Sequence, residues 1–178
     1  MVDASDANDI VISNLMTRIS PQLNIPRFSR DQIQIIGSIG RGGHSIVHLG
    51  TANNKTVAVK RFKPLRGGLA AEKVDAIVQN ELRLLARLRQ SSYVVQVIGY
   101  YYEDLLVSIV MDYAENGDLA EYLRSKRLSG NWSIKARICA DIAKGLSEIH
   151  RKNIVHGDLK ACNVLLDKSL IPKAPSFI

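Results

Sequence analysis

Apolar and polar positions change their rhythm several times along the chain. Val11, Ile12, Leu15, Met16 and Ile19 recur at helical spacing until Pro21 stops the run, which predicts a short helix. Pro26 marks a linker, so residues 1–29 read as a helical appendage to a domain that begins at residue 30. From Gln32 the period falls to two. Ile33, Ile35 and Ile39 alternate with Gln34 and Ser38 as a strand that runs into Gly40-Arg41-Gly42-Gly43. Ile46–Leu49 and Thr56–Phe62 predict the next strands, with Asn53-Asn54 as turn residues between them. Helical spacing returns over Leu69–Leu88, where Val74, Ile77, Val78, Leu84, Leu85 and Leu88 form one stripe. Tyr93–Tyr102 and Leu105–Tyr113 predict two more strands joined at Glu103-Asp104. After Gly117, Asp118 is placed to cap a short helix. Trp132–His150 predicts a longer helix, with Ile134, Ile138, Ile142, Leu146 and Ile149 on one face and Trp132 as a packing residue at its start.

Three polar features interrupt this pattern. The segment Gly40-x-Gly42-x-x-Ser45-x-Val47 joins two strands, whereas a dinucleotide fingerprint requires a helix directly after its glycines. Glycines in such a hairpin let the backbone approach a polyphosphate and offer it unhindered N–H donors, although an ordinary hairpin turn would look the same. Lys60 closes the apolar strand Val57-Ala58-Val59, where a solvated lysine is not expected. Glu81 falls inside the apolar stripe of the Leu69–Leu88 helix, four residues from both Ile77 and Leu85. A carboxylate facing a core is costly unless paired, so the pattern calls for a Lys60–Glu81 ion pair.

The densest chemistry lies in Ile154–Asp167, IVHGDLKACNVLLD. His156, Asp158, Lys160 and Asn163 sit in a tight polar loop between apolar runs, and a strand pair around it would aim an acid, a cation and an amide at one point.

In this order, the Gly-rich hairpin, V-A-V-K, the helical Glu, the strand into Gly117, the long helix and H-x-D-L-K-x-x-N resemble the first half of a eukaryotic protein kinase domain over roughly residues 30–178. The resemblance implies an α+β fold. Its N-lobe, residues 30–113, is a five-stranded antiparallel sheet with one main helix. Its helical C-lobe, residues 114–178, is partial and ends at the strands after the catalytic loop. It also implies ATP and Mg²⁺ as cofactors, with Ile39, Gly40, Gly42 and Val47 covering the nucleotide and Ala58 against its base. Lys60 would hold phosphates with Glu81 positioning it, Met111 would be the gatekeeper, and Asp112 to Ala114 the hinge. Asp158 would be the catalytic base beside Lys160, and Asn163 a Mg²⁺ ligand. Lys160, two residues after the Asp, resembles the Ser/Thr type more than the tyrosine type.

The chain departs from that family at three places. Ser45 replaces the third loop glycine, a mild change. Gly157 replaces the Arg before the catalytic Asp, so pairing with a phosphorylated activation loop is not expected. Thirteen residues after Asn163, where the family has Asp-Phe-Gly, this chain reads Ser176-Phe177-Ile178. Ser176 carries no charge for Mg²⁺, so metal binding is expected to be weakened or lost. With the helical lobe incomplete, the apolar face of the Trp132–His150 helix is expected to be exposed. Two function classes follow: a kinase that binds ATP and transfers its γ-phosphoryl to protein hydroxyls, or an inactive nucleotide-binding scaffold fragment.

Composition narrows the partners. Lys and Arg number 24 against 17 acidic residues, a formal charge of +7, but the clustered cations hold a single aromatic, Phe62, and not a series of them, so solvated helix faces are expected rather than a nucleic-acid surface. Cys139 and Cys162 form neither a disulfide framework nor a CxxC pair. The acidic start lacks a signal-peptide pattern and the apolar runs are short, so the expectation is a soluble cytoplasmic or nuclear protein with no membrane partner.

Overall fold

The computed structural model describes residues 24–43, 45–63, 70–103 and 106–174. The helical run around Leu15, His44 and the Ser176-Phe177-Ile178 segment lie outside them. The chain divides into two units, one formed by residues up to 86 with 97–112, the other by residues 87–96 and 113 onward.

The first unit is a five-stranded sheet. β1 (Ile33–Arg41), β2 (Ser45–Ala52), β3 (Lys55–Phe62), β4 (Val97–Glu103) and β5 (Leu106–Asp112) pair antiparallel in the order β1-β2-β3-β5-β4. Asn53 and Asn54 both take positive φ, 47° and 61°, the conformation a two-residue hairpin needs to match strand twist. α1 (Ala70–Arg87) buries Val78, Leu82 and Leu85 with Glu81 among them. On one face of the sheet, Ile33, Ala52, Val57, Val59, Tyr101 and Val110 gather around Phe28.

Phe28 corrects the linker read at Pro26. The N–H of Phe28 donates to the carbonyl of Tyr100 at 2.8 Å, and the N–H of Tyr100 donates to that of Pro26 at 3.1 Å. Residues 26–28 therefore add a short parallel rung to the outer edge of β4. Proline suits an edge because it has no N–H to offer the ladder. Gly99 permits the approach: a Cβ there would stand 2.4 Å from a Phe28 ring carbon and 2.7 Å from the Pro26 oxygen.

The second unit contains α2 (Leu119–Arg124), α3 (Trp132–Arg151), and the short strands β6 (Leu165–Leu166) and β7 (Pro172–Lys173). Asp118 caps α2 by accepting from the N–H of Glu121 at 2.8 Å, and Asn131 caps α3 through the N–H of Ile134 at 3.1 Å. Ile138 packs with Leu119, Leu128, Val164 and Leu166, and Ile134 and Ile142 lie against this cluster. The apolar face of α3 is thus buried at Ile138 and Ile149 and half-buried between them, rather than exposed as the sequence suggested. Trp132 is the reverse case. It is 75% exposed, with the Lys135 ammonium 4.4 Å from its ring centroid, so it does not pack at the helix start.

The strand expected from Tyr93 begins only at Val97. The apolar run Tyr93–Val95 instead brackets Ala174: the N–H of Val95 donates to its carbonyl at 2.9 Å, and its N–H donates to the carbonyl of Tyr93 at 2.8 Å. Alternation cannot tell pairing with one residue from pairing with a full strand.

Candidate active site

The nucleotide-facing candidates fall into one register of the first unit's sheet. Gly40 pairs with Val47, Val47 with Lys60, and Lys60 with Ile109, while the next row joins Leu49, Ala58 and Met111. Cross-strand partners share a face, and positions two apart along a strand share it too. Gly40, Val47, Ala58, Lys60 and Met111 therefore line one side of the sheet. Ile39 is exposed on β1, while Ala58 and Met111 are buried. Asp112 ends β5, where its carboxylate takes the Lys55 ammonium at 2.7 Å.

Lys60 makes the pair that the sequence calls for. Its Nζ lies 2.5 and 2.7 Å from the two Glu81 oxygens, and the side chains are 13% and 6% exposed. Burial raises the Glu81 pKa above the usual glutamate value, and the Lys60 charge pulls it only part of the way back. The Phe62 ring adds a third partner for the ammonium, 5.3 Å from its centroid. Phe62 was not among the residues singled out from sequence, though its place two positions after Lys60 puts it on the same strand face.

The Gly-rich hairpin closes tightly. The N–H of Gly42 donates to the Ser45 carbonyl at 2.9 Å, and Ser45 is buried opposite Phe62. A Cβ on Gly42 would stand 3.3 Å from the Ser45 hydroxyl oxygen, so the turn leaves little room for a larger residue. His48, on β2, is held below the ordinary histidine pKa by burial first and by Arg61 and Arg41 second.

In the second unit, the polar loop brings its three predicted residues together. Asn163 Nδ2 donates to the Asp158 carbonyl at 2.9 Å and to its carboxylate at 2.7 Å, and Lys160 Nζ lies 2.8 Å from the same carboxylate oxygen. A 3-10 turn, Ala161–Asn163, carries the amide back toward the acid. Strands flank the loop on its C-terminal side only: β6 pairs with β7, whereas Ile154–His156 belongs to no strand. Ile154 and His156 are buried, while Val155 is 74% exposed. Ala114, which is buried, also belongs to this unit. Burial lowers the His156 pKa, so its imidazole is neutral at physiological pH.

The hydrogen bond from Lys160 is the largest influence on Asp158 and, with the smaller help of Asn163, holds it below the usual aspartate range against the opposing effect of desolvation. The same bond raises Lys160. Asp158 is thus an ionised acceptor throughout the physiological range. A carboxyl titration followed by NMR is expected to place its midpoint below an ordinary aspartate, and Lys160→Met to move it upward. An unmoved midpoint would contradict the pairing.

Gly157 has a backbone reason to be glycine. Its φ is +76°, in the left-handed region where an L side chain costs about 1–2 kcal/mol. Gly157→Arg, which restores the residue expected from the family, should therefore lower stability by about 1 kcal/mol in a urea melt. An unchanged midpoint would mean the loop can relax there.

Comparison with known proteins gives the fold its family. Residues 33–174 match the protein kinase domain, and the chain belongs to the protein kinase family. It is 33% identical over 172 residues to the leaf rust 10 disease-resistance locus receptor-like protein kinase-like 2.4 of Arabidopsis thaliana, covering 90% of this chain and 27% of that protein. A probable leucine-rich repeat receptor-like serine/threonine-protein kinase of the same plant is 34% identical over 158 residues, 85% of this chain and 15% of the relative. The probable serine/threonine-protein kinase kinX of Dictyostelium discoideum is 29% identical over 164 residues, 89% and 15% respectively. The chain thus spans about a quarter or less of the length of these curated relatives. Among the described residues, no helix is long and apolar enough to cross a membrane.

The family uses ATP with Mg²⁺, and the donor set can be tested against that ion. Asn163 spends its Nδ2 on Asp158, leaving Oδ1 as the acceptor side of the amide. Among the described residues, no group of three His, Cys, Asp or Glu could hold a metal by itself. The Asn163 amide oxygen and the nearby Asp158 carboxylate are oxygen donors of the kind that Mg²⁺ takes.

Proposed function

We propose that this chain supplies the nucleotide-binding and catalytic-loop portion of a Ser/Thr-type protein kinase. ATP is the ligand of the Gly40–Val47 hairpin and Lys60, with Ala58 and Met111 against the base and the Asp112–Ala114 backbone as hinge. Asp158 accepts the proton of a protein hydroxyl, Lys160 accompanies the transferring phosphoryl group, and Asn163 offers its oxygen to Mg²⁺.

The observation that carries this reading is the Lys60–Glu81 pair. A buried ion pair is often no more stabilising than apolar residues of the same shape, so the fold gains little by keeping it. Its use lies in a cation aimed from a strand under a glycine-rich hairpin, where phosphate oxygens need one.

Ser176 favours a second reading. It stands where the family's metal-binding Asp is expected, and a chain without that charge would bind nucleotide without transferring phosphate. Transfer of labelled γ-phosphate to a generic protein substrate separates the two. Label transfer that disappears in Asp158→Asn supports the kinase reading. ATP binding without transfer supports the nucleotide-binding scaffold.

A further inference from the structure

Lys63 stands just past β3 and outside the family motifs. Its Nζ donates to the carbonyl oxygen of Gly42 at 3.0 Å. The N–H of that same glycine is already committed to the Ser45 carbonyl at 2.9 Å. Both backbone groups of Gly42 are therefore held, one inside the hairpin turn and one by a cation from the strand beside it. The placement follows from register. Ser45 pairs with Phe62, so Lys63 emerges where the β2–β3 ladder ends and the hairpin turn begins.

A trans peptide points its C=O and the following N–H in opposite directions, and no peptide in the described chain is cis. Fixing the Gly42 carbonyl on Lys63 thus fixes the N–H of Gly43 on the far side of the same plane. Between two glycines that plane would otherwise turn with little resistance, because neither residue has a Cβ to restrict it. Among the described residues, and apart from its chain neighbours, nothing lies within 4 Å of where a Gly43 Cβ would be, so no packing contact there restrains the plane.

We propose that Lys63 is a positioning residue for the nucleotide's phosphates, latching the Gly42–Gly43 peptide so that the Gly43 N–H is preset as a donor. This rests on the nucleotide reading above and deepens it. The latch keeps the donor oriented before ligand arrives, so the loop does not lose that freedom on binding. Lys63 is separate from Lys60, whose ammonium is engaged with Glu81 and Phe62.

The test compares ATP with adenosine in calorimetry, and follows the Gly43 amide by NMR without nucleotide. Lys63→Met is expected to weaken ATP roughly tenfold, about the effect of one hydrogen bond to a charged group, and to leave adenosine unchanged. Lys63→Arg, which keeps a charged donor, should recover most of the loss. In the nucleotide-free protein, Lys63→Met should broaden or shift the Gly43 amide, which a cation acting only by its charge on phosphate would not do. An unmoved Gly43 amide, or equal weakening of ATP and adenosine, overturns the inference. If the unaltered protein binds no ATP, the nucleotide reading itself falls. If it binds and Lys63→Met binds equally well, only the role of Lys63 falls.

Discussion

Replacing Lys60 by methionine is expected to cost roughly 3–5 kcal/mol of stability, because it leaves the Glu81 carboxylate buried without its cation. The double replacement Lys60→Met with Glu81→Leu should recover most of that loss, since two apolar side chains can fill the site without a desolvated charge. The exposed Lys55–Asp112 pair provides the contrast. Its side chains are mostly in water, and Lys55→Met should cost at most about 1 kcal/mol.

The Lys60→Met penalty also depends on pH, with a sign that follows from Glu81. Burial already raises the folded pKa of that carboxyl above its unfolded value, and losing Lys60 raises it further. Stability from a group of this kind is fully present below the unfolded glutamate pKa and is lost as pH rises through the folded one. Urea melts of Lys60→Met should therefore show a smaller deficit under mildly acidic conditions than at neutrality. A deficit that grew on acidification would mean that Glu81 is not the group left behind.

The second large effect is expected at the edge of the sheet. Phe28→Ala should cost about 3–5 kcal/mol, as for other buried aromatics, with the lower end favoured because the ring is not wholly enclosed. The loss strips the cover from Tyr101, Val59 and Val110 and loosens the backbone rung between residues 26–28 and β4. Gly99→Ala should act on the same contact by pushing the ring away, so the two substitutions should combine less than additively. A cost below about 1 kcal/mol for Phe28→Ala would return this segment to the status of a linker.

What the sequence could and could not reveal follows from the range of each interaction. Asn53-Asn54, the Asp118 cap and the stripe of α1 are local, set by residues within one turn of one another, and they are legible. Glu81 was legible for a related reason: a charge inside an apolar stripe demands a partner, and Lys60 breaks a strand in the same way. The Asp158–Asn163 bond is also local, five residues apart. Pro26–Phe28 and Tyr93–Val95 were misread because their partners, Tyr100 and Ala174, lie some 70–80 residues further along and leave no periodic trace. Trp132 was misread because size alone suggested burial, whereas its place next to the α3 cap leaves it facing solvent. Lys63 gave no signal, since a lysine past a strand end resembles any solvated cation until its distance to Gly42 is known.

The most direct test of the account is calorimetric titration of the folded chain with ATP and, separately, with adenosine in the presence of Mg²⁺. A phosphate-recognising hairpin backed by Lys60 predicts measurable ATP binding, tighter than adenosine by at least about tenfold. Absence of ATP binding, or equal affinity for the two ligands, would contradict it, because neither the glycines nor Lys60 would then be acting on phosphate.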